Sequence, residues 1–191
     1  MEGLNHIDRL DITGCCYNAP MKEAQRVFLQ ILSLKRTKRT GWVRRGIRHP
    51  ESVADHSFGC ALLALLLAPH LEGVDENTLL KMILIHDLAE SDPTVGDITP
   101  FDGVSAAEKH QREEVAMQKI CSALENGDEL LALWNDYEEK ISPEAKIAHQ
   151  IDKLEMALQA RDYEQSEKID LSEFVKEAKG KMEDPPLKKF L

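Results

Sequence analysis

His86 and Asp87 stand side by side at the end of an apolar run, LLKMILIHDLAE, where an ionisable pair is costly to bury without a partner. A divalent metal ion would satisfy both. The dipeptide alone carries no weight, since with seven histidines in 191 residues such pairs arise by chance. His56 opens a second apolar run, and Asp152 lies one residue from an apolar stripe further along the chain. Taken singly, each reads as readily as a core histidine or a solvated edge carboxylate. Together, two imidazoles and two carboxylates form a borderline-to-hard donor set suited to manganese, cobalt, iron, zinc or, less well, magnesium. Coordination positions would stay open for water and substrate.

Glu90 follows His86 by four residues and Asp87 by three, so a continuous helix would project all three toward one face. A carboxylate there could handle a proton beside the metal. In the next loop, SDPTVGDITP, Gly96 lets the backbone turn and so carries Asp97 back toward the same place, although an ordinary turn aspartate reads the same way. Ahead of these groups, residues 35–48 hold Lys35, Arg36, Lys38, Arg39, Arg44, Arg45 and Arg48 with no acid, and Trp42 sits among them. That mixture could cradle a sugar or base with phosphate nearby, or be a solvated loop or a nuclear address signal.

Helices must position all of these groups. Apolar spacing of three or four residues recurs between start and stop signals, and predicts six or seven helices in an all-α bundle. The first starts near Ala19 with a stripe of Met21, Ala24, Val27, Phe28, Ile31 and Leu32, and the basic stretch after it reads as loop. Ser52 with Asp55, and Ser105 with Glu108, are capping boxes. A third helix is expected from Glu76 to Pro93, and a short one over 128–140. Ser142 and Pro143 open another, carrying Ile147, Ile151, Leu154 and Leu158, and a last one runs over 171–179. One domain over 19–183 is expected, with a loosely held arm at 1–18 and a loose tail at 184–191.

A net charge of −10 argues against a partner that is a nucleic-acid polymer and leaves room for a small anionic ligand at the basic stretch. Cys15, Cys16, Cys60 and Cys121 show no CxxC spacing and read as reduced thiols, which fits a cytoplasmic protein. The longest apolar run, 58–69, is shorter than the roughly 20 residues of a membrane span, and the amino terminus lacks the pattern of a secretory signal.

In this order, ESVADHS, ILIHDLAE, VGDITP and HQIDKLEMALQA resemble the HD-domain metal phosphohydrolases, and more narrowly their 5′-deoxynucleotidase branch, over roughly residues 20–162. The resemblance implies that His56, His86, Asp87 and Asp152 are metal ligands, that Glu90 serves catalysis, and that Asp97 contacts the substrate or a metal-bound species. It further implies a homodimer, Trp42 facing the sugar, and hydrolysis of deoxyribonucleoside 5′-monophosphates. Bacterial members carry Arg immediately before that Trp, where this chain has Gly41; Arg39, Arg44 or Arg45 would then bind phosphate. Competing readings are an HD-domain nucleotide pyrophosphohydrolase, a metal-binding interaction protein without catalysis, and a nuclear adaptor.

Overall fold

Ser52, Asp75, Ser105, Ser142 and Asp184 each precede a helical segment, and each side chain accepts the amide N–H three residues on. These bonds satisfy donors that a helix start leaves without partners. Only at Ser52 is the reciprocal bond made, from its own N–H to Asp55 at 2.8 Å. Glu108, expected to do the same for Ser105, pairs with Arg112 instead.

The computed structural model describes residues 19–99 and 101–191. Cys15, Cys16 and the proposed arm at 1–18 lie outside them. Nine α-helices follow in order among the described residues: α1 Ala19–Ile31, α2 Thr40–Arg44, α3 Val53–Leu67, α4 Glu76–Ile85, α5 Ala106–Cys121, α6 Gly127–Glu139, α7 Pro143–Glu167, α8 Ser172–Lys181 and α9 Pro185–Phe190. Short 3-10 turns join several of them. The described residues hold no strand, only a single bridge between Lys38 and Ser52. The fold is all-α.

Two layers of the core meet at α4. Leu63, Ala64 and Leu67 of α3, Leu79, Met82 and Ile83 of α4, and Ile147, Ile151 and Leu154 of α7 form one cluster. Ile85 of α4 continues into a second cluster with Met117 and Ile120 of α5 and Trp134 of α6. The apolar stripe expected on α7 is therefore its core face, with Leu158 partly buried. That expected on α1 is not: Val27 is buried, whereas Met21 and Phe28 are exposed. Residues 53–70 have the length and hydropathy of a membrane span, yet α3 buries Cys60, Leu63, Ala64 and Leu67 against α4 and α7.

Three segments differ from expectation. Residues 40–44, read as loop, form α2, because Arg45 N–H reaches back to Gly41 and the buried Trp42 anchors the turn. The helix expected to reach Pro93 stops at Ile85: the His86 ring bonds the Ile83 carbonyl at 2.6 Å, the acceptor a continuing helix would give to Asp87, and Asp87 leaves helical backbone. A 3-10 turn over Leu88–Ser91 follows.

The tail beyond residue 183 is no loose arm. Pro185 starts α9 behind the Asp184 cap, and Leu187 is fully buried in the cluster with Leu79 and Met82. Leu187→Ala is therefore expected to cost about 2–5 kcal/mol in urea unfolding, as deletion of a packed core side chain does. A solvated tail would show less than about 0.5 kcal/mol.

Candidate metal centre

His56 comes from the first turn of α3, His86 and Asp87 from the end of α4, and Asp152 from the middle of α7. Ser52 fixes where α3 begins and so where His56 points; the break after Ile85 turns Asp87 inward beside His86. His56 Nε2 lies 3.2 Å from Asp152 Oδ1 and 3.9 Å from Asp87 Oδ2, and His86 Nε2 lies 3.2 Å from the same Asp87 oxygen. Two donors bound at right angles about 2.1 Å from one ion stand about 3 Å apart. Two of the three donor pairs above lie near that spacing at 3.2 Å, and the third is wider at 3.9 Å.

Hydrogen-bond chemistry sharpens the point. His86 Nδ1 faces a carbonyl, which can only accept, so it carries the ring hydrogen. His56 Nδ1 likewise faces the Glu155 carboxylate at 2.6 Å. A neutral form of either ring would turn an Nε2 lone pair toward carboxylate oxygens, an arrangement that is repulsive unless a proton or a metal cation lies between. His86 Nε2 is buried with no hydrogen-bond partner among the described residues.

The electrostatics agree. Burial and Arg39 oppose protonation of His56, yet the neighbouring Cys60 and Asp152 draw its pKa well above the ordinary value. Burial likewise opposes a charged His86, and Asp87 overrides it. Burial alone would raise Asp87 and Asp152, but His86 beside the first, and Lys153 and His56 beside the second, hold both below the usual carboxylate range. A divalent ion supplies the same compensation as protons on the imidazoles and leaves both rings neutral. The donor set therefore fits a metal.

Two further groupings include His56, one with Cys60 and His86 and one with Glu51 and Glu155 on its Nδ1 side; in the first the added donor is the thiol of Cys60. Its Sγ lies 3.6 Å from His56 Nε2 and 3.8 Å from Nδ1, nearly equidistant, so it sits against the ring rather than along the Nε2 lone pair. Burial pushes its thiol up to about 12.

Glu90 is 4% exposed, and its Oε2 is buried without a hydrogen-bond partner among the described residues. Burial first, then the charges of Asp87 and Asp97, push its pKa well above the ordinary range. Arg39 reaches Asp87 at 3.5 Å and Asp97 at 3.6 Å from the start of α2. Asp97 also accepts the Thr40 N–H, while the Thr40 hydroxyl donates to the Asp97 carbonyl at 2.8 Å. The 96–97 turn is thus tied to the residue following Arg39.

This arrangement of His and Asp can be set beside known proteins. A sequence model described as HD domain matches residues 31–189. The chain belongs to the HD domain family. Among HD relatives, the 5′-deoxynucleotidase HDDC2 of Danio rerio is 45% identical over 156 residues, covering 80% of this chain and 76% of the relative. The human protein of that name is 39% identical over 165 residues, 84% of this chain and 79% of its own. A solved structure from Magnetospirillum magnetotacticum, described as a predicted metal-dependent phosphohydrolase, superposes with a TM-score of 0.73 at 25% identity. It covers 90% of this chain and 89% of that one.

Within this HD fold, the candidates that are not brought to the centre are equally informative. Trp42, expected to face a sugar, is 2% exposed: it packs on Tyr163 and Phe174, and its indole N–H donates to Glu51 at 2.7 Å. It anchors α2, and so the segment bearing Arg39, rather than presenting a platform. Arg44 is paired with Asp102 and Arg45 with Glu173, both away from the centre. His149, near Asp152 in sequence, stacks on Tyr137 and bonds its carbonyl at 2.8 Å. Glu155 went unnoticed in the sequence, although its spacing of three from Asp152 puts both on one side of α7. Lys109 was also missed; it pairs with Glu113 at 3.3 Å and feels the charges of Glu90 and Asp87.

Proposed function

We propose that this chain hydrolyses deoxyribonucleoside 5′-monophosphates to deoxynucleoside and inorganic phosphate. One observation carries the reading: Glu90, a buried carboxyl whose Oε2 has no partner among the described residues, feels the charges of Asp87, Asp97 and Arg39 beside the cluster of donor side chains. A purely structural metal site has no use for that spare acid. The names of the relatives supply the substrate class.

His56, His86, Asp87 and Asp152 would hold the ion, with manganese or cobalt the best matches to this donor set and magnesium, zinc or iron also within its range. Bound there, a divalent ion would supply Lewis acidity toward phosphoryl oxygen and would make water a competent nucleophile near neutral pH. Arg39 binds the phosphoryl oxygens; its charge is secure, because the carboxylates of Asp87 and Asp97 raise its pKa despite burial. Asp97 and Thr40 hold the backbone that aims it. Glu90 Oε2 takes the proton from the attacking water and returns it to the leaving 5′-oxygen.

Purified protein supplied with manganese, cobalt or magnesium should release inorganic phosphate from deoxynucleoside monophosphates in preference to ribonucleotides. Release of pyrophosphate from triphosphates instead would replace this reading with the pyrophosphohydrolase one. Arg39→Ala should raise KM for the monophosphate by about 10-fold or more, the loss of a charge-assisted bond worth about 1.5–3 kcal/mol. Equal change in Arg44→Ala would shift phosphate binding to the exposed end of α2.

A homodimer is part of this reading. Phe58, Leu62, Leu65 and Leu66 are exposed along one side of α3, an apolar stripe suited to a second copy.

A further inference from the structure

Glu155 lies on α7 one turn after Asp152, and it is 8% exposed. Its Oε2 is 2.6 Å from His56 Nδ1, on the side of the ring opposite the metal donors. The helix that supplies one candidate ligand thus also supplies a carboxylate to another. His86 has a backbone carbonyl in the corresponding place. A carboxylate there does more than a carbonyl, because its charge makes the imidazole a stronger donor as well as fixing which nitrogen is free.

A second observation comes from the facing helix. Gly59 sits in the interior of α3, where glycine costs about 1 kcal/mol relative to alanine. A Cβ built there would fall 2.6 Å from Glu155 Oε1, 3.1 Å from its Cγ and 3.2 Å from its Cδ. The missing methyl is the space the carboxylate occupies.

We propose that Glu155 is a positioning residue for the metal centre, holding His56 in the tautomer and orientation that turn Nε2 toward the ion, and that Gly59 is required to admit it. The proposal rests on the metal-dependent reading above, but not on the substrate.

The test is metal affinity of the full-length protein, stripped with chelator and titrated with manganese or cobalt by calorimetry, with no nucleotide present. Glu155→Ala should weaken binding by about 10- to 100-fold, as loss of an outer partner of a ligating histidine does. Glu155→Gln, which keeps an acceptor but not the charge, should lose less. Gly59→Ala keeps the helix and displaces only the end of a flexible side chain, so it folds even if Glu155→Ala does not, and it too should weaken the metal. In the Glu155→Ala background, Gly59→Ala should have no further effect. Wild-type affinity in folded Glu155→Ala or in Gly59→Ala overturns the proposal, as does an equal Gly59→Ala penalty in both backgrounds. Failure to hydrolyse deoxynucleotides would remove the substrate reading and leave these affinities standing.

Discussion

Asp87→Ala is expected to remove bound divalent metal and phosphatase activity together. Its Oδ2 lies near both imidazoles, 3.2 Å from His86 Nε2 and 3.9 Å from His56 Nε2, and it also faces Arg39 at 3.5 Å. Truncation takes away a donor and the charge that offsets three cationic or metal-facing groups. Changes to outer partners of metal ligands already cost about 10- to 100-fold, so loss of a donor at the centre of the cluster should exceed that. Metal content after gel filtration, read by atomic emission, and phosphate release on the same sample check it. A variant that retains stoichiometric metal and full turnover would place the ion elsewhere.

Glu90→Gln is expected to separate the two properties. The amide matches the carboxyl in shape, but it cannot take a proton from water. General acid–base groups contribute about 10²- to 10⁴-fold, so kcat should fall by that factor. None of the four donor side chains is altered, and the metal should remain bound with its content unchanged. Loss of metal in this variant would make Glu90 a ligand; wild-type kcat would remove it from the proton path. Its surroundings mark it out, since burial and the charges of Asp87 and Asp97 push the carboxyl well above the ordinary range, a perturbation of the kind found at functional sites.

Two misreadings show where sequence reasoning failed. An aromatic amid arginines and lysines reads as exposed, but Trp42 is enclosed by Tyr163 and Phe174, which the chain supplies more than a hundred residues later. Nothing near Trp42 in the sequence announces them. Three arginines were equivalent candidates for phosphate, and the turn of α2 distinguishes them: Arg39 faces the centre at its start, while Arg44 and Arg45 pair outward at its end. Leu187 was misjudged for the opposite reason. Two prolines suggested a tail, yet a proline in the first turn is well placed to begin a helix once Asp184 caps it.

What could be read from the chain alone was local: the helical class, the caps at Ser52, Ser105 and Ser142, and which donor residues stood in apolar settings where a bare charge is expensive. Those signals act within about four residues, the reach of a helical hydrogen bond. Which imidazole nitrogen faces the carboxylates, which arginine meets Asp87 and which tryptophan is buried depend on groups brought together by packing. Arg39 meets Asp87 across 48 positions of chain and His56 meets Glu155 across 99. Such pairings are set by how α2, α3, α4 and α7 bury their apolar faces together, and no local pattern encodes that geometry.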